Sequence, residues 1–90
     1  MNGAEYCLVT DLNEIGDADY AYEIKSGSSQ EEICGIISSI CIDLKGEDDL
    51  VNARYENGEY IIISNGITIG RAVINDKATT DLLKIYFYNQ

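Results

Sequence analysis

The chain has 90 residues, 46% of them hydrophobic, which is the composition of one globular domain and excludes a disordered acidic tail. Sixteen acidic and six basic side chains give a formal net charge of −10, a sign that argues against direct contact with nucleic acid or an anionic membrane surface. With no histidine, the chain lacks the Ser-His and Cys-His nucleophile pairs and the commonest zinc ligand.

Residues 4–10 (AEYCLVT) alternate along the chain and predict a first strand. Residues 18–24 (ADYAYEI) predict a second, with Tyr20, Tyr22 and Ile24 on one face and Asp19, Ala21, Glu23 and Lys25 on the other. The tyrosine face of this strand is expected to pack on the core. The connector DLNEIGD holds Gly16 and three acids and closes the hairpin as an exposed loop.

SGSSQEE announces a helix. Ser29 is placed to cap it with Glu32 three residues on, and Glu31 and Glu32 suit the positive end of the helix. Ile33, Ile36, Ile37, Ile40 and Leu44 form one apolar stripe at helical spacing, from which Gly35, Ser38, Ser39 and Asp43 fall away. Lys45 and Gly46 supply the C-terminal charge and cap.

Asn-Gly occurs at 57–58 and again at 65–66, the strongest short-range hairpin signal because type I′ turns need positive φ at both central residues. Two such turns around YIIIS predict a meander of strands 50–56, 59–64 and 67–74. Its central strand is apolar on both faces, so each face is covered by the fold or by an oligomer. Asn75-Asp76 starts another turn. Residues 78–84 then predict a short helix capped by Thr79 or Thr80, and KIYFYN a last strand. The sum is a single α+β domain over 1–90: an N-terminal hairpin, a three-strand meander and a terminal strand packed on one amphipathic helix, in the order ββαβββ(α)β.

Chemistry has few places to sit. There is no CxxC, Walker loop or GxGxxG. Asp17-Ala-Asp19 opens like a calcium loop but lacks the glycine such a loop demands, and Glu47-Asp48-Asp49 reads as a solvated loop. No catalytic residue, metal or cofactor is expected, and the chain does not read as an enzyme. Cys34 and Cys41, seven residues apart on the helix, stand about 10 Å apart, beyond disulfide reach. Three reduced cysteines, together with an N-terminus that lacks a basic start followed by an apolar run, suggest the cytoplasm.

The charge is unevenly placed. Residues 1–49 hold twelve acids and two bases, a net of −10, whereas residues 50–90 balance four against four. Clustered carboxylates of this kind suit a positive groove, and tyrosine is enriched at binding hot spots. The protein-binding residues expected on this basis are Asp11, Glu14, Asp17, Asp19, Glu23, Glu47, Asp48, Asp49, Tyr60, Tyr86 and Tyr88. The expected role is a small cytosolic binding or inhibitory protein that masks a basic, nucleic-acid-handling partner, such as a nuclease. Compact acidic phage inhibitors of bacterial defence nucleases (anti-CRISPR-like proteins) are similar in composition. The alternative is a self-associating accessory protein, dimeric through its apolar meander, or a toxin-neutralising immunity protein.

Overall fold

The computed structural model describes residues 6–10, 16–46, 50–76 and 80–88. Asp11, Glu14, Glu47, Asp48 and Asp49, singled out above, lie outside them. Among the described residues are strands β1 (Tyr6–Leu8) and β2 (Tyr20–Lys25), helix α1 (Gln30–Lys45), and strands β3 (Val51–Glu56), β4 (Glu59–Ser64), β5 (Ile67–Asp76) and β6 (Thr80–Phe87). The architecture is α+β, one helix packed on a six-stranded antiparallel sheet of order β1-β2-β6-β5-β4-β3. The Cα radius of gyration, 12.3 Å, matches the value of about 12 Å expected for a compact chain of this length.

The helix begins where its capping chemistry sits. Ser29 Oγ accepts from the Glu32 N–H at 3.1 Å, while the Ser29 N–H donates to Glu32 Oε1 at 2.8 Å, so two otherwise unpaired donors are satisfied reciprocally. The backbone hydrogen bond draws the Glu32 carboxyl below its usual pKa. At the other end the Gly46 N–H donates to the Ile42 carbonyl at 2.8 Å. Ile33, Ile36, Ile37 and Ile40 are buried as the stripe predicts. The stripe closes on Cys41 rather than on Leu44, which is 41% exposed in the last turn.

Both Asn-Gly pairs turn the chain as expected, with φ of 54° and 87° at Asn57 and Gly58 and of 53° and 83° at Asn65 and Gly66. The β4–β5 ladder is interrupted once: Ile62 faces Gly70 but Ile63 faces Thr68, so Ile69 is an additional residue in β5. Gly70 sits beside this bulge, where a Cβ would fall on the Tyr86 carbonyl oxygen and lie 3.2 Å from Phe87 Cα. Glycine is required here for closeness of the two backbones.

A further sequence expectation fails. The stretch 78–84, expected as a short helix, is strand from Thr80 onward and runs unbroken to Phe87. Its place between β2 and β5 explains why. Between its two neighbours the strand buries Leu83 under α1 and Leu82 against Ala21 and Val9 on the opposite face, and a continuous apolar run looks locally like a helix segment.

The main core lies between α1 and one face of the sheet, and contains Tyr22, Ile24, Tyr60, Ile62, Leu83 and Ile85. A small second cluster of Ala21, Leu82 and Val9 forms on the opposite face. Six strands about 4.8 Å apart span roughly 24 Å, whereas one helix is only about 10–12 Å wide. Because α1 approaches β3 most closely, β1 and the start of β2 are left without a roof.

Candidate interaction surface

The unroofed part of the sheet is aromatic. Tyr6 and Leu8 of β1 pair with Ile24 and Tyr22 of β2 and share their face of the sheet. Tyr6, Leu8 and Tyr20 are 37%, 50% and 37% exposed. The rings are held edge to face: Tyr6 against Tyr22 with centroids 5.6 Å apart, and Tyr20 against Phe87 at 5.9 Å. Such pairs fix ring orientation and so lower the ordering cost of any contact made on top of them.

Charge surrounds this shelf. The Tyr6 hydroxyl donates to Asp43 Oδ2 at 3.4 Å, and the Lys45 ammonium lies 5.2 Å from the Phe87 ring centroid. Burial and then the Asp43 carboxylate push the Tyr6 hydroxyl above its ordinary pKa, and burial does the same to Tyr22. Both phenols are therefore protonated donors at neutral pH. Asp19 stands at the end of the shelf: its N–H donates to the Ile85 carbonyl at 3.0 Å, and its Oδ2 accepts from the Phe87 N–H at 2.7 Å. This carboxylate extends the β2–β6 ladder past the last residues of the strands. Leu8, Val9, Thr10, Asp19 and Tyr20 line a shallow hollow of about 240 Å³. A hollow this small falls short of the roughly 300–1,000 Å³ of small-molecule sites, and suits a single side chain.

The residues expected to bind a partner are dispersed. Asp17 is exposed just ahead of β2, near Asp19 in the chain. Glu23 lies on the other face of the sheet, opposite Leu82 and Cys7, and so does not join them. Tyr60, expected at a contact surface, is 4% exposed in the core between β4 and α1, where burial raises its hydroxyl pKa. Its side of β4 is the side the helix covers. Tyr86 is half-buried on the helix-free face, with the Arg71 guanidinium 4.3 Å from its ring centroid. Tyr88 is 46% exposed beyond the end of β6, its N–H donating to the Ile69 carbonyl at 2.9 Å. Asp11, Glu14, Glu47, Asp48 and Asp49 lie outside the described residues. Tyr6, Leu8, Tyr20 and Asp43, which form the exposed shelf, are not among the residues singled out from the sequence as partner contacts. The available signal was the mismatch in width between one helix and six strands.

The helix-free face has a different character. By strand register it carries Lys25, Arg54, Arg71 and Lys84, with Ile61, Ile63 and Val73 between them. Arg71 pairs with Glu59 at 3.3 Å and Arg54 with Glu56 at 3.8 Å, so both arginines here are locally answered. The acidic excess among the described residues accordingly resides in the helix layer and at the ends of the sheet.

Cys7 is exposed, Cys34 half-buried and Cys41 buried, all as free thiols. Burial pushes the Cys41 thiol up to about 11 and raises that of Cys34. Among the described residues no group of three or more His, Cys, Asp or Glu is placed to hold a metal ion. No helix there is long and apolar enough to cross a membrane. Compared with models of known protein families, with curated proteins and with solved structures, the chain matches none.

Proposed function

We propose that this is a non-catalytic binding protein of the cytoplasm that masks a basic, nucleic-acid-handling protein, and that it does so through the aromatic shelf of β1 and β2. The observation that carries the reading is the exposed Tyr6–Leu8–Tyr20 surface, edged by Asp43 on the helix and by Asp17 and Asp19 at the sheet end. Phenol rings beside carboxylates suit a guanidinium or ammonium, which gains both a charge-assisted hydrogen bond and contact with a ring face. A positive groove built for phosphates presents such side chains in rows. The net charge of −10 supplies the long-range attraction, and the tyrosines supply contacts that persist once the partner has arrived. Three free thiols accord with a reducing compartment.

The test is capture from the native host, followed by competition. The captured protein should bind nucleic acid, and this protein should displace that nucleic acid. Tyr20→Ala and Asp43→Lys should each weaken the displacement. A captured partner without a basic groove, or one bound equally well by both variants, would overturn the proposal.

A further inference from the structure

The two edges of the sheet are unequal. β1 is three residues long, whereas β3 offers six residues, Val51–Glu56, in unbroken register with β4. The direction of its backbone groups follows from its hydrogen bonds. The Asn65 N–H donates to the Leu50 carbonyl, and Glu56 and Glu59 close a two-residue type I′ turn, so the even-numbered residues face β4. The N–H and C=O groups of Val51, Ala53 and Tyr55 therefore point outward, and no described strand pairs with them. An edge of this length without bulge or proline is a template for another strand.

We propose that the β3 edge pairs with the β3 edge of a second copy of this chain, antiparallel, about a two-fold axis at Ala53. The residues select this register. Placing the axis at Ala53 sets Val51 opposite Tyr55 of the second copy and uses all three outward residues of each strand. Tyr55, 44% exposed in one copy and edge-on to Tyr60 at 4.9 Å, then gains an aromatic–β-branched cross-strand partner. On the other face Arg54 meets Asn52, with no like charges opposed. An axis at Arg54 would instead bring two guanidinium groups into direct opposition. An axis at Asn52 would carry Tyr55 past the end of the facing strand, and an axis at Tyr55 would leave only one hydrogen-bonded pair within the strands. The seam is short, well under the roughly 1,200 Å² of a stable interface, so the dimer forms reversibly at high concentration. The two chains repel as bodies of charge −10, so added salt favours it. This surface lies at the opposite edge of the sheet from the aromatic shelf, and the salt response is opposite in sign to that of the partner complex.

Sedimentation equilibrium of the full chain, from about 1 to 500 µM at roughly 0.1 M and 0.5 M salt, tests it. The expected result is a reversible monomer–dimer equilibrium that tightens with salt. Ala53→Pro deletes an outward N–H without touching the β3–β4 ladder, and should weaken dimerisation about tenfold or more. Tyr55→Lys should do likewise and covers the case in which proline disturbs folding, with circular dichroism confirming the fold of each. A monomer throughout at both salt concentrations overturns the proposal, as does a dimer equally strong in wild type and both folded variants.

Discussion

Two glycine-to-alanine substitutions should act in opposite directions. Gly35 lies within α1 with nothing within 4 Å of where a Cβ would stand. Alanine there gains about 0.8–1 kcal/mol of helix propensity with no steric cost. Gly70 lies in β5, where alanine would also reduce the entropy of the unfolded chain, by about 0.4–1 kcal/mol. Against that gain stands the Tyr86 carbonyl oxygen at the position of the new methyl, with Phe87 Cα and Cδ1 both at 3.2 Å. Two of these three neighbours are backbone atoms of a paired strand, so relief requires β5 and β6 to separate beside the bulge. Overpacking of this kind costs about 1–3 kcal/mol, and it exceeds the entropic gain. Because two of the clashing atoms are backbone, the cost lies near the top of that range and the net loss after the entropic gain is about 2 kcal/mol, a substantial fraction of a total stability of roughly 5–13 kcal/mol. Urea unfolding followed by circular dichroism measures both. With a slope of about 2 kcal/mol per molar, the Gly70→Ala midpoint should fall by about 1 M and the Gly35→Ala midpoint rise by about 0.5 M. A Gly70→Ala variant as stable as the parent would refute the close approach of β5 and β6 at the bulge.

Three further outcomes are expected. Native-state alkylation should follow exposure and thiol pKa, with Cys7 fastest, Cys34 slower and Cys41 reacting only at the rate of global unfolding; mass spectrometry of a time course reads the order. Ser29→Ala should remove the helix cap and cost about 1 kcal/mol, a fall in Tm of roughly 4–8 °C by calorimetry. Because the folded Glu32 pKa is depressed, its contribution is present above the unfolded carboxyl pKa and is lost as pH falls through the folded value. Acid titration of Glu32→Gln should accordingly show a shallower loss of stability in that window than the parent.

What was legible in the sequence was local. The capping box at Ser29 and Glu32 and the two Asn-Gly turns each depend on residues within four positions of one another, and each sits where the residues place it. The stretch 78–84 reads as a short helix because ATTDLLK is locally compatible with either period, whereas KIYF at its end reads as the strand it is. Its strand character comes from pairing on both sides, with Ile67–Asp76 just before it and with Tyr20–Lys25 about 60 residues earlier in the chain. Lateral coverage was equally hidden. Tyr20 and Tyr22 alternate identically, yet Tyr22 is buried under α1 while Tyr20 is left exposed at the strand end. Tyr60 illustrates the converse: a tyrosine near a turn reads as a surface contact until the helix is seen to cover that face of β4. The proposed site therefore emerges from where one helix stops covering six strands, which follows from the number and order of the elements and from no local residue pattern.

If the aromatic shelf and its carboxylates meet a basic partner, as proposed, charge beside the shelf should govern the encounter and the rings should govern its lifetime. The most direct measurement is the association and dissociation kinetics of the captured partner over a range of salt, for variants matched in net charge. Asp43→Lys borders the shelf; Glu31→Lys makes the same charge change in the first turn of α1, at the other end of the helix. Asp43→Lys should slow association about tenfold or more at low salt and flatten its salt dependence, while Glu31→Lys should change it far less. Tyr20→Ala should accelerate dissociation with little effect on the association rate. Equal effects of Asp43→Lys and Glu31→Lys, with Tyr20→Ala kinetically silent, would contradict the proposal and reduce the acidic surface to a solubility device.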